Sequence, residues 1–177
     1  TNGTSVIPGM MCGQVHFPEA VLTHKGNIYT VSRAALAGGI TSYMEMPNTQ
    51  PPATTHALLE EKFRIADESS FANYSFYLGA TNDNIEEIKR LDPLKSCGIK
   101  AIMGASTGSL LVDDPAALEQ LFTHAPVLVA THCEDTPTIL KNESQYKEKY
   151  GNDIPISYHP MIRSTEACYL SSSLAVD

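Results

Sequence analysis

Positive charge is scarce in this sequence. Twelve Lys and Arg stand against twenty Asp and Glu, for a formal net charge of −8. That balance argues against a protein holding nucleic acid or another polyanion by charge alone. No apolar run approaches the ~18 residues of a membrane span, so a soluble chain is expected. Thr1-Asn2-Gly3-Thr4-Ser5 lacks both a basic stretch and an apolar core. The start therefore reads as the interior of a longer protein, not as a secretory signal. Cys12, Cys97, Cys133 and Cys168 include no Cys-x-x-Cys pair, unlike the dense framework of a small secreted domain. A reducing, cytoplasmic setting is expected, and the glycosylation sequons at Asn2, Asn73 and Asn142 read as chance matches.

What is present is globular: 42% hydrophobic and 18% charged residues over 177 positions, about one domain at roughly 150 residues each. No repeat or charge block divides residues 1–177. Short apolar runs recur at Val6–Met11, Ile40–Met46, Tyr74–Leu78, Ile99–Met103 and Val127–Ala130, each bounded by turn residues as buried parallel strands are. Helix signals lie between them. Ile28, Val31 and Ala35 share one helical face that stops at Gly38-Gly39, and Leu59, Phe63 and Ala66 form a second. Asn84 with Glu87 suggests a capping box. Asp114-Pro115 and Thr136-Pro137 suggest capped starts, and a last helix is expected from Ser164 to Asp177. Five βα units require parallel strands with right-handed crossovers, in an open doubly wound sheet or in part of a (β/α)8 barrel. Five units cannot close an eight-stranded barrel, so a barrel would lack about three.

In such folds chemistry collects where strands end. After the first run, Cys12, Gln14 and His16 alternate onto one face. After the second comes Met46-Pro47-Asn48-Thr49, the fourth contains Lys100, and the fifth ends at His132-Cys133-Glu134-Asp135. A lysine inside a buried strand is costly unless paired, neutralised or bound. Taken singly, Lys100 also reads as a lysine snorkelling to solvent, and His16 and His132 as ordinary strand-end histidines. Together, at one end of three strands, they suggest a metal site of imidazoles and an anionic ligand. Glu134 and Asp135 read as solvated or capping, and His24, His56, His124 and His159 as surface residues. Gly104–Gly108 lacks the Gly-Lys-Ser/Thr ending of a phosphate loop.

These segments resemble the amidohydrolase superfamily and, in their order, its dihydroorotases. The resemblance rests on Pro8-Gly9-Met10 leading to Gln14-Val15-His16-Phe17, Leu22–Gly26, Ala37–Thr41, Met46–Thr49, Asn73–Asn84, Gly98–Gly108, Ala130–Asp135 and Tyr158–Leu174. It covers essentially the whole chain, and allantoinases and hydantoinases share the architecture. It implies the first five βα units of a (β/α)8 TIM-type barrel, incomplete as given, and the reversible conversion of dihydroorotate to N-carbamoyl-L-aspartate in pyrimidine biosynthesis. Lys100 is then a carboxylated catalytic residue bridging up to two Zn²⁺ ions. His16 and His132 are metal ligands, and Asn48 helps hold the cyclic amide substrate. A homodimer or a completing chain is the implied partner. A further histidine ligand and a general-base aspartate are implied beyond position 177.

The chain departs from the family's Asp-x-His-x-His-x-Arg at three positions, with Cys12 for the aspartate, Gln14 for the first histidine and Pro18 for the arginine. Gln14 is a poor zinc ligand, Cys12 binds only as thiolate, and Pro18 has no donor for a substrate carboxylate. Those losses favour a second reading, a non-catalytic dihydroorotase-like structural or interaction partner. A third, a doubly wound nucleotide-binding domain, lacks the glycine fingerprint after its first strand.

Overall fold

In the computed structural model, residues 3–17, 23–105 and 110–177 are described. Five strands, β1 (Met10–Val15), β2 (Ile40–Glu45), β3 (Asn73–Gly79), β4 (Gly98–Ile102) and β5 (Val129–His132), alternate with helices. These are α1 (Ile28–Ala37), α2 (His56–Ser69), α3 (Ile85–Lys89), α4 (Pro115–His124) and, after β5, α5 (Thr136–Tyr150), α6 (His159–Ile162) and α7 (Thr165–Val176). All pairings are parallel, and the spatial order β1-β2-β3-β4-β5 follows the chain. A doubly wound sheet reverses its order at a switch point. This curled half-barrel has none, which overturns the nucleotide-binding alternative.

Alternation along the strands separates two faces. Phe76, Leu78 and Ala80 beside Ile99, Ala101 and Met103 pack with Ile28 of α1, Leu59 and Ala66 of α2, Ile88 of α3, and Leu118 and Leu121 of α4. This layer between sheet and helices is the core. It also contains an ion pair, Lys62 Nζ to Glu45 Oε2 at 3.0 Å, where Lys62 Nζ also donates to Met46 O at 3.2 Å. The intervening positions, Lys100 and Ile102 with their register partners Ala130 and His132, face the concave side.

Several local expectations are corrected. The first strand starts at Met10, not Val6, because pairing to β2 begins with Met10 opposite Ile40. Val6 and Ile7 stay exposed, and Cys12 and Gln14 lie within the strand rather than after it. The Asn84–Glu87 capping box does not form. Asn84 Nδ2 donates to Gly79 O and Thr54 O, while one Glu87 oxygen takes both His56 N and Nδ1, at 2.7 and 2.6 Å. His56 is thus a link between α2 and α3, not a plain surface residue. A capping box does form at Asn27 and Thr30 of α1. Asp135, not Thr136, caps α5 by accepting from Thr138 N, which frees Thr136 Oγ1 to accept from Ala105 N at 2.9 Å. Asp114 and Ser164 cap α4 and α7 as expected. Gly39, at φ 87°, makes the left-handed step from α1 into β2 that other residues rarely adopt.

Candidate active site

Phe17 stacks on Tyr43 with ring centroids 4.6 Å apart, and the Tyr43 hydroxyl meets Ser70 Oγ at the end of α2. Odd positions at the end of β1 therefore face the helices. Gln14 and His16, alternating with them, face the concave side. Cys12 instead lies opposite the helix-facing Tyr43, because the register shifts between Cys12 and Val15, so the three do not share the one face expected of them. Tyr77 lies across that side and donates from its hydroxyl to Gly13 O at 3.1 Å.

Lys100 is 7% exposed and, among the described residues, has no carboxylate partner. Burial lowers its ammonium from the ordinary 10.5, a fall that the neighbouring Cys133 thiol opposes. His16, just past β1, is lowered from 6.5 by partial desolvation, then by the charges of Lys100 and Lys62. Lys100 and His16 are thus within electrostatic reach of each other. His132 ends β5 on the same face, since Lys100 is opposite Ala130 and Ile102 opposite His132. Its Nε2 contacts Glu134 Oε2 at 3.1 Å, and Arg163 Nη1 donates to that same oxygen.

Asn48 is exposed on the loop after β2. That loop folds back through Ala53 N to Pro47 O at 3.1 Å and is tied to β3 by Gly79 N to Ala53 O at 2.8 Å. No contact joins Asn48 to the other three candidates among the described residues. Pro18 and positions 106–108 of the Gly104–Gly108 loop lie outside the described residues.

Sequence reading missed two things. Glu134 is not merely solvated: it bridges His132 and Arg163. The available signal was its spacing, two residues past His132 on extended chain and so on the same side. Arg163 is distant in sequence and carried no signal.

As a donor set for a metal, two imidazoles and one buried amine that burial biases toward its neutral, carboxylatable form fit one ion with an open position. They do not supply a second ion. Among the described residues no three His, Cys, Asp or Glu side chains gather to hold a metal, and Gln14 adds only an amide to the concave face.

No protein-family model matches the chain. A dihydroorotase of Methanosarcina acetivorans is 33% identical over 97% of this chain and 37% of its own length. The chain belongs to the dihydroorotase-like cyclic amidohydrolases. An allantoinase of Deinococcus radiodurans is 29% identical over 99% of this amidohydrolase chain and 41% of its own length. Among solved structures, an L-hydantoinase (dihydropyrimidinase) from Arthrobacter aurescens superposes with a TM-score of 0.86 and 25% identity, over 96% of this chain and 38% of that one. The amidohydrolase chain thus spans well under half the length of these relatives.

Proposed function

We propose that this chain supplies the first five βα units, and part of the active site, of a hydrolase that opens a cyclic amide. Dihydroorotate, reversibly converted to N-carbamoyl-L-aspartate for pyrimidine biosynthesis in the cytoplasm, is the substrate favoured by relatives such as that of Methanosarcina acetivorans. The rings named by the allantoinase and L-hydantoinase relatives are the alternatives. The observation that carries the reading is Lys100: a buried amine with no carboxylate partner among the described residues, on the concave face, with its charge felt at His16. Burial favours the neutral amine, the form that adds carbon dioxide to become a carbamate. His16, carboxylated Lys100 and His132 would hold one Zn²⁺. That ion supplies Lewis acidity, polarising the ring carbonyl and acidifying a water. Asn48 would contact the substrate at the rim. The half-barrel would be completed by further βα units or by a second copy of the chain.

The test is zinc per chain after dialysis against a weak chelator, combined with ring-opening assays on dihydroorotate, allantoin and hydantoin. About one retained zinc ion with turnover of dihydroorotate supports the reading. Absence of retained zinc defeats it.

A second reading has its own support. Gln14 replaces an imidazole on the concave face of β1, Cys12 replaces an acid earlier in that strand, and Pro18 replaces a cation. A chain that retains one zinc ion but opens none of the three rings even when its completing βα units are supplied would be a non-catalytic amidohydrolase-like partner.

A further inference from the structure

We infer that Glu134, clamped by Arg163, is a positioning residue that fixes the tautomer and orientation of the His132 ring. The value of this to metal binding rests on the reading of His132 as a donor, whereas the ring contact itself does not.

One oxygen, Glu134 Oε2, receives His132 Nε2 at 3.1 Å and also Arg163 Nη1. A carboxylate only accepts, so a hydrogen belongs on Nε2, and in the neutral ring the lone pair is then on Nδ1. Metal-binding histidines are commonly held in this way, with the non-ligating nitrogen donating to a carboxylate. The carboxylate is itself fixed on both sides. Main-chain positions 132–135 are locked by Met103 N to His132 O and Asp135 N to Ala167 O, both 2.9 Å. Gly104 passes so close that a Cβ there would lie 1.8 Å from Glu134 O, so only glycine lets the loop after β4 cross this point.

The cation comes from the chain between α5 and α7. That excursion is pinned to α5 by Asn142 Nδ2, which donates to Met161 O and Ile162 O at 3.2 and 3.1 Å. The Tyr150 hydroxyl donates to that of Tyr158 at 2.6 Å, and Tyr158 stacks on Tyr146 and Tyr150 at 4.8 and 5.0 Å. Arg163 stands at its end, closed by Arg163 N to His159 O at 2.9 Å. The ion pair is partly exposed, with side chains 39% and 19% accessible, so it adds little stability of its own. Its consequence is geometric, because the excursion sets where the carboxylate points and the carboxylate sets the ring.

The test compares wild type with E134A, E134Q and R163M. It records the ring nitrogen-15 resonances of His132 and measures Zn²⁺ affinity by competition with a chromophoric chelator. In E134A the two ring nitrogens should move toward the mixed-tautomer positions of free imidazole, and zinc affinity should fall about 10–100-fold. E134Q keeps an acceptor oxygen and nearly the same shape, so it should preserve most of both even if E134A folds poorly. R163M should shift the resonances the same way by less. Unchanged nitrogens in folded E134A, or in R163M where E134A does not fold, overturn the assignment. If E134A moves the ring nitrogens while wild type retains no zinc, the positioning role stands and the metal-donor reading of His132 falls.

Discussion

Lys100 joins the most chemistry to the least compensation. A primary amine at 7% exposure with no carboxylate beside it among the described residues costs free energy in its charged form, and the fold responds by lowering its proton affinity below the ordinary 10.5. Two outcomes follow for substitution by methionine, which matches the length of the stem without the amine. K100M should melt in urea no earlier than wild type, because the buried polar head is removed along with its desolvation cost. Zinc retention should nevertheless drop by more than about tenfold, since a ligating position is lost outright rather than loosened. The carbamate itself should be visible by carbon-13 after incubation with labelled bicarbonate. Its signal should grow as pH rises toward the lysine's range, because only the deprotonated amine reacts, and it should be absent from K100M. A K100M chain that keeps its zinc would remove Lys100 from the site. This residue was legible in the sequence because a cation interrupts an apolar strand. Glu134 was not, since an acid after a strand looks the same whether it meets water or an imidazole.

Among the elements, α2 and α3 are joined by a single carboxylate. Glu87 lies below the ordinary carboxyl value of 4.5, chiefly because the His56 amide and then its ring donate to it, and secondarily because Arg90 is near. A depressed folded value means that the unfolded chain takes up this proton first as the medium acidifies. The contribution is therefore complete above 4.5 and disappears as pH falls through the lower folded value. E87Q should flatten that part of the stability–pH curve and leave its slope near neutrality unchanged, as urea melts at stepped pH would show. An unchanged acid slope would mean that the link contributes nothing. Deeper in the same layer, Leu78 is fully buried among the helix-facing residues, and Leu78→Ala should cost about 2–5 kcal/mol by loss of contacts and a residual cavity. That layer was the most legible part of the fold, because periodicity reports burial against helices directly. The apolar run at Val6 and Ile7 misplaced the first strand for the same reason. An edge strand is defined by where its single ladder begins, here Met10 opposite Ile40, and apolarity does not record that. The Asn84–Glu87 spacing misled because both side chains had partners outside the helix, Gly79 at the end of β3 and the distant Thr54 and His56, that a local motif cannot reveal.

At the scale of the whole molecule, the sheet follows chain order and does not close. Among the described residues β1 pairs only with β2, and β5 only with β4, leaving two strand edges with unpaired backbone groups. Apolar side chains cluster at both: Val6 and Ile7 before β1, Met10 and Met11 at its start, and Leu128 just before β5, with Leu170, Leu174 and Val176 exposed on α7. Unmatched edges beside exposed apolar surface favour association. Alone in solution, the 177-residue chain should therefore show sedimentation coefficients that rise with concentration, and it should bind a hydrophobic dye. Placing a charge at each edge, with Met10→Lys and Leu128→Lys together, should reduce both effects while leaving the helical circular dichroism unchanged, since both side chains already face solvent. If the doubly charged variant associates as strongly as wild type, the sticky surface is elsewhere, with α7 the next place to look. If wild type stays monomeric and dye-silent at all concentrations, the open edges are tolerated as they stand. The five-unit half-barrel would then be self-sufficient as a folded body, and completion by another chain would be a requirement of catalysis rather than of folding.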